Sequence, residues 1–409
     1  MQAVMKGVRV LELAAWVFVP IGGAVLGEWG ADVLKIEHPE TGDPVRGLVT
    51  AGGTATQAHS RDPAHWIFEY PNRCKRSVAI DVSTEIGRGV LLELAKSADV
   101  FITSLMPRTR KKLGIDVEDL RSVNPSIIYA RGSALGQYGA GADRGGYDQC
   151  SFWARGGAAD LGSPDADGYP ADMPGGAFGD AISGFALAGG IAAALHHRAV
   201  TGEPTVVDTS LFAMGAWASG FSIAGCAALG IDRLPVQSRT ERTNPIVNAF
   251  RTSDNRFVQL VMLQSDRYWA ELVTAMGRPD LADDQRFSDS ALRAENKAEC
   301  VEVLDKIFEQ RTFSQWAEIL QHISGIWDPV QTPGEVLQDP DAQANGYVQT
   351  FSGVEGRTFT FVSSPIQFDG SPQQITRAPG FGEHTDEVLL DAGYEMDALI
   401  EMKIAGAIG

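Results

Sequence analysis

Paired cysteines are missing from this sequence. Cys74, Cys150, Cys226 and Cys300 stand far apart, with no CxxC spacing. A disulfide framework or a zinc site is therefore not expected, and a reducing, cytoplasmic setting is. A basic surplus is missing too: 34 Lys and Arg face 52 Asp and Glu, a net charge of −18. A chain of that sign is a poor partner for nucleic acid or an anionic membrane. No apolar run reaches the length of a bilayer span. The longest, Ala181 to Leu195, stops at His196, His197 and Arg198 and reads as a buried helix. No basic segment followed by an apolar stretch opens the chain, so a signal peptide is not expected.

Common catalytic signatures are also missing. There is no GxSxG elbow, no HExxH and no Walker-type loop. Of the seven histidines, His196 and His197 close a helix and His38, His59 and His65 fall in loops; none pairs visibly with a nucleophile. No metal is expected. A dinucleotide fold is considered because Glu37 ends a strand where an acid could hold a ribose. The first turn, Ala14 to Pro20, has no GxGxxG, however, and Trp16 and Phe18 would crowd a pyrophosphate.

The bulk composition is globular, with 44% hydrophobic and 21% charged residues over 409 positions, enough for more than one domain. The first 150 residues hold seventeen basic and seventeen acidic side chains, so the whole charge deficit lies downstream. A positive site for an anionic ligand is easiest to place in that first part.

Alternating strand and helix signals run through it. Val8 to Leu13, Asp32 to Glu37, Ser77 to Asp81, Val100 to Thr103 and Ile127 to Ala130 read as strands. A helix opened by Pro20, then 86–97 and 117–123, read as the helices between them. The pattern predicts an open, doubly wound α/β domain. Residues 136–180 are rich in Gly, Asp and Pro and read as a long functional loop, followed by the helix 181–198. Thr205 to Asp208 is strand-like, and residues around 225–245 read as a linker. The segment 250–263 looks like a hairpin, 293–323 like a charged amphipathic helix, and 346–369 like strands before a final helix.

Ligands of an open parallel sheet bind outside the carboxyl ends of its strands. There Lys112, with Arg46, Arg73, Lys75 and Arg76, could meet phosphates, although each also reads as an ordinary surface charge. Asp180, just before the long helix, reads first as an N-cap. A carboxylate held ionised at a helix N-terminus, with small neighbours such as Gly179, could also serve as a nucleophile. Asp148 is the rival; its plain reading is a turn residue.

The ordered motifs resemble the class III CoA-transferases, the CaiB/BaiF family, along nearly the whole chain. Carrying the likeness are the opening VRVLELAAWVFVPIGG with Gly30-Ala31-Asp32-Val33 and Gly42-Asp43-Pro44, then Asn72 with Lys75-Arg76-Ser77 and Asp81. GGYD at 145–148, Gly179-Asp180, Thr201-Gly202 and VDTSLF at 207–212 follow in order. Asp266 with Trp269, Asp284 with Arg286-Phe287, Arg293 and Asn296, Trp316, Glu335, Asp339-Pro340 and Gly382-Glu383-His384-Thr385 complete the set.

The resemblance implies a Rossmann-like, doubly wound large domain built from both chain ends, a smaller central α+β domain, and an interlocked homodimer. The corresponding division is 1–200 for the first part of the large domain, 201–245 for a linker, 246–325 for the small domain, and 326–409 for a return linker and the rest of the large domain. It implies an enzyme that moves CoA from an acyl-CoA to a carboxylic acid through Asp180, by way of a mixed anhydride and an aspartyl-CoA thioester. CoA contacts would fall on Val17, Phe18, Ile80, Asp81, Val82, Ser83, Ser104, Leu105, Met106, Lys112, Ser133 and Ala134. Tyr147, Phe152 and Trp153 would line a pocket for an aromatic or branched acid, although such a stretch is more often core.

Several positions depart from the family's pattern. Ser104-Leu105-Met106-Pro107-Arg108 replaces an N-F-x-P-G segment, His38-Pro39 stands where a basic CoA contact is usual, and Ser133-Ala134-Leu135-Gly136 replaces a Ser-Gly-Phe-Gly turn. Arg108, Arg110 and Lys111 are the candidates to compensate. A glycine-rich small-domain loop of the formyl-CoA transferase kind is not found, which disfavours formate or oxalate. Two alternatives stay open: an α-methylacyl-CoA racemase of the same fold, which would want a histidine where Tyr147 stands, and a catalytically silent acyl-CoA-binding protein.

Overall fold

The computed structural model describes residues 3–48, 50–51, 54–55, 65–162, 167–353 and 356–409, and His59 lies outside them. The strands are β1 (Arg9–Leu13), β2 (Asp32–Glu37), β3 (Thr50–Ala51), β4 (Thr54–Ala55), β5 (Arg76–Ala79), β6 (Val100–Thr103), β7 (Ile128–Ser133) and β8 (Val206–Ser210). Next come β9 (Val247–Arg251), β10 (Phe257–Val261), β11 (Trp327–Pro329), β12 (Val348–Ser352) and β13 (Thr358–Val362). The chain divides into two compact units, residues 1–232 with 340–409, and residues 233–339.

The first unit is built on a six-stranded sheet in the order β5-β2-β1-β6-β7-β8. Every neighbouring pair in it is parallel. Its central strands are short and largely buried because both faces are covered, and charged residues such as Glu12, Lys35 and Glu37 are buried within them. On one face Val10, Val33, Val100, Ile102 and Ile128 pack with the helices Phe18–Glu28 and Phe178–Thr201. On the other, Leu11, Leu34, Ile36, Phe101 and Tyr129 pack with Glu85–Ala95, Val117–Val123 and the C-terminal helices Thr385–Asp391 and Met396–Ile404. The small residues of the long helix let it lie close: a Cβ on Gly184 would stand 2.5 Å from the Phe18 carbonyl oxygen. The chain end is stitched to the β5 edge, where Ile408 bridges Ile80 and Gly409 N–H donates to the Ala79 carbonyl.

Several sequence boundaries need correction. The first helix starts at Phe18, two residues before Pro20. The interval 201–245 is not a linker throughout, because β8 completes the main sheet and two helices, Leu211–Ala218 and Gly220–Leu229, follow it. The long helix spans 24 residues, beyond the run read from its apolar core, and by length and composition could cross a bilayer; here it packs against the helix Phe18–Glu28.

The central unit has an antiparallel sheet, β11-β10-β9, with β11 drawn from beyond residue 325. The segment 293–323 forms three helices, Ser290–Glu295, Lys297–Phe308 and Phe313–Leu320, the last opened by a capping box at Thr312. Of its motif residues, Trp269, Phe287, Arg293 and Trp316 are buried in the core, whereas Asp266 and Arg286 are exposed. The Arg293 guanidinium is buried, lies over the Trp269 ring and donates to the Phe287 carbonyl.

Candidate active site

The sheet order places its topological switch point between β1 and β6, where the chain winds outward in both directions. A cavity of about 790 Å³ opens there. Its walls come from the carboxyl ends of β1 (Ala15, Trp16), β6 (Ser104 to Pro107) and β7 (Gly132 to Leu135), and from the loop and π-helical turn Ala142 to Arg155. Phe18, Val19 and Leu211 add apolar surface, and Asp180 completes the lining.

Asp180 does not cap its helix. The helix begins at Phe178, its N-cap position is Ala177 at φ 61°, and no side chain caps it. Asp180 is the third helical residue, half-buried in the first turn. Gly179 beside it is required by packing, since a Cβ there would lie 2.6 Å from the Phe152 ring. Burial, and then the charge of Asp148, push the Asp180 carboxyl up to about 7. The expectation that the helix N-terminus holds this carboxylate ionised meets two opposing causes, because desolvation and a like charge favour its protonated form. Asp148 is itself buried; one of its oxygens accepts from the Gln149 N–H and the other has no hydrogen-bond partner.

Of the residues anticipated for CoA or substrate, Phe18, Ser104, Leu105, Met106, Ser133, Ala134 and Tyr147 line the same cavity as Asp180. Ser104 Oγ accepts from Ala15 N–H at 3.1 Å and joins the ends of β1 and β6. The others are elsewhere. Val17 is the N-cap of the first helix and packs against core residues. Ile80, Asp81, Val82 and Ser83 follow β5 at the sheet edge, two strands from the switch point, and Asp81 is engaged by Ser83 and His38. Lys112 is exposed in the last turn of the helix Pro107–Leu113, outside the cavity lining. Phe152 is core, and Trp153 donates its ring N–H to the Ala171 carbonyl, so neither lines the cavity.

Of the basic residues proposed for phosphates, Arg108, Lys111 and Lys112 are exposed outside the cavity lining, and the others are committed to structure. Arg46 pairs with Glu37 at 2.7 Å, Arg73 with Glu28, Lys75 with Glu12, and Arg76 with Asp32. Arg110 is buried and bonds Asp116, the Leu105 carbonyl and Gln137. The cations that do reach the cavity are Arg144 and Arg155, which flank the GGYD segment and carry no local signal of that role. Among the described residues no group of His, Cys, Asp or Glu gathers in a way that could hold a metal ion.

Fold and site together define a doubly wound α/β protein whose switch-point cavity presents a carboxylate with a raised pKa. The model of CoA-transferase family III matches residues 5–385. The chain is similar to the (R)-2-hydroxy-4-methylpentanoate CoA-transferase of Clostridioides difficile, at 29% identity over 98% of each chain. It is also similar to the cinnamoyl-CoA:phenyllactate CoA-transferase of Clostridium sporogenes, at 27% over 97% of this chain and 95% of the relative. Among solved structures, a CaiB/BaiF family protein from Brucella suis matches with a TM-score of 0.81 at 27% identity, covering 96% of this chain and all of that one. A Mycobacterium tuberculosis protein matches with a TM-score of 0.78 at 29% identity, over 93% and 97% of the two chains. The chain therefore belongs to CoA-transferase family III, and it is a CoA-transferase.

Proposed function

We propose that the protein transfers CoA from an acyl-CoA to a carboxylic acid with Asp180 as covalent nucleophile. The observation that carries this reading is a partly desolvated carboxylate, free of any hydrogen-bonded cap role, lining the switch-point cavity. A carboxylate oxygen of Asp180 attacks the thioester carbonyl; the C–S bond breaks and CoA leaves as thiolate, giving a mixed anhydride. The thiolate then attacks the Asp180 carbonyl and expels the first acid as its carboxylate, leaving an aspartyl-CoA thioester. The acceptor carboxylate attacks that thioester and releases the thiolate, giving a second mixed anhydride; the thiolate then attacks the acceptor's acyl carbon, forms the new acyl-CoA and expels the Asp180 carboxylate. No net proton is exchanged, so no separate general base is required.

In this reading the pantetheine arm runs over Ser104 to Met106 and Ser133-Ala134, with Arg144 and Arg155 on the opposite loop as the cations nearest its path. A racemase would need a second base beside the α-carbon, and Tyr147 is a poor one at neutral pH. The reading extends to a homodimer working in the cytoplasm. The test is incubation with an acyl-CoA, trapping with borohydride or hydroxylamine, and peptide mass spectrometry. The adduct is expected on Asp180, and Asp180→Ala is expected to lose at least about a thousandfold in exchange rate, as for loss of a covalent nucleophile. An adduct on another residue, or full activity in Asp180→Ala, overturns the proposal. Deuterium entering the α-position of a 2-methylacyl-CoA without an acid acceptor would instead favour the racemase.

A further inference from the structure

Trp16 holds a conformation that a bulky side chain rarely adopts, with φ at 69°. Strain of this kind persists only where the surroundings over-determine it, and here they do. The Trp16 N–H donates to Asp43 Oδ1 at 3.2 Å, and the preceding Ala15 N–H donates to Ser104 Oγ. Ala14 offers its carbonyl to the Lys35 ammonium at 3.0 Å. Asp43 is in turn buried, and its second oxygen pairs with Lys35 at 2.8 Å. Ala14 and Trp16 are thus pinned to a buried ion pair, and Ala15 between them to the end of β6. The result is that the Trp16 indole is presented to the cavity, not folded into the core.

Its neighbour there is Tyr147. The two rings meet edge to face, with centroids 5.4 Å apart and planes at 85°. Both line the cavity that contains Asp180, and both remain substantially exposed, Trp16 at 38% and Tyr147 at 59%. Exposed aromatic surface in a cleft, fixed from behind at a conformational cost, is what a ring-shaped ligand group would complete. Phe18 and Leu105 continue the apolar lining.

We propose that Trp16 and Tyr147 form the acyl-selecting wall of the site and that it takes acyl groups carrying an aryl ring in preference to short unbranched ones. This deepens the acyl-CoA reading above and rests on it. Each aromatic contact of this geometry is worth about 2- to 10-fold in affinity, so the wall as a whole discriminates by about tenfold or more.

The experiment measures binding rather than turnover, by calorimetry on full-length Asp180→Asn protein with 3-phenylpropionyl-CoA and acetyl-CoA. The aryl ligand is expected to bind about tenfold tighter. That ratio is expected to fall to about threefold or less in Trp16→Gly, where glycine accepts the positive φ, and to fall also in Tyr147→Leu, while Tyr147→Phe retains it. If Trp16→Gly does not fold, the solvent-exposed Tyr147 variants decide alone. A parent ratio near one, or a ratio unchanged by Tyr147→Leu, overturns the wall. Trapping on the wild-type protein is read separately: no adduct on Asp180 with any donor sinks the transfer mechanism, whereas an adduct with an unchanged binding ratio sinks only the aromatic wall.

Discussion

At Asp180, burial first and the charge of Asp148 second set when the carboxyl holds its proton. Burial and the Asp148 charge raise Asp180 to about 7, so its protonated form dominates below that pH and its nucleophilic form above. The dependence of kcat/KM reports groups of the free enzyme, and it is expected to fall as the pH drops through about 7. Asp148→Asn removes the like charge but not the burial. In that variant the acid limb is expected to move below 7 while staying above the ordinary carboxylate range, as a pH–rate series on both proteins would read. An unmoved limb would mean that the Asp148 charge does not reach Asp180. Arg46, Arg73, Lys75 and Arg76 do not offset this pair, because each is held by an acid of its own.

Those ion pairs belong to the elements of the sheet. Glu12 on β1 is fully buried and bonds Lys35 of β2 at 3.2 Å and Lys75, just before β5, at 2.8 Å. Burial alone would lower Lys35, but Asp43, Glu12 and Glu37 hold it above the usual lysine range. Glu12→Gln keeps the shape and leaves the Lys35 ammonium under-neutralised, while burial already lowers Lys75 to about 7 and lets it give up its proton. Breaking a buried pair in this way costs about 3–5 kcal/mol, and a matching loss in the urea unfolding of the variant is expected; a loss under about 1 kcal/mol would mean that water enters the cluster. None of this was legible in the sequence, since Glu12, Lys35 and Lys75 are far apart and no local spacing announces them. What was legible follows burial. β2 and β6 match the strands read from the sequence residue for residue, because their apolar side chains are buried on covered faces of a parallel sheet. The helix Pro107–Leu113 was missed because PRTRKKL carries no apolar stripe, and the helix Trp66–Asn72 because Pro71 lies inside it. The start of the helix at Phe178 was misplaced because a glycine-rich approach and the φ of 61° at Ala177 disguise it. The ends of β6 and β7, Tyr147 and Asp180 were brought to one cavity by topology, not by any single motif.

At the scale of the molecule, the helices Leu211–Ala218 and Gly220–Leu229 raise a question of what covers them. The second helix has no buried residue, although it reads GFSIAGCAAL. Phe221 is 91% exposed and Trp217 81%, with Ile223, Leu229 and Ile231 also exposed nearby in the chain. Soluble monomers rarely leave such contiguous apolar surface open, and a patch of this kind marks an association site. A partner of this chain's own kind fits the expectation of an interlocked homodimer, and two copies of an apolar helix pair can bury each other about a symmetry axis. The full chain is therefore expected to sediment as a dimer at micromolar concentration. Trp217→Glu combined with Phe221→Glu places charges at the centre of the patch, where an unpaired charge costs several kcal/mol to bury. It is expected to shift the protein to monomer, with weaker resistance to proteolysis between residues 211 and 231. A wild-type monomer in sedimentation velocity, or a dimer that survives both substitutions, would remove these helices from the interface and require another cover for their exposed aromatic rings.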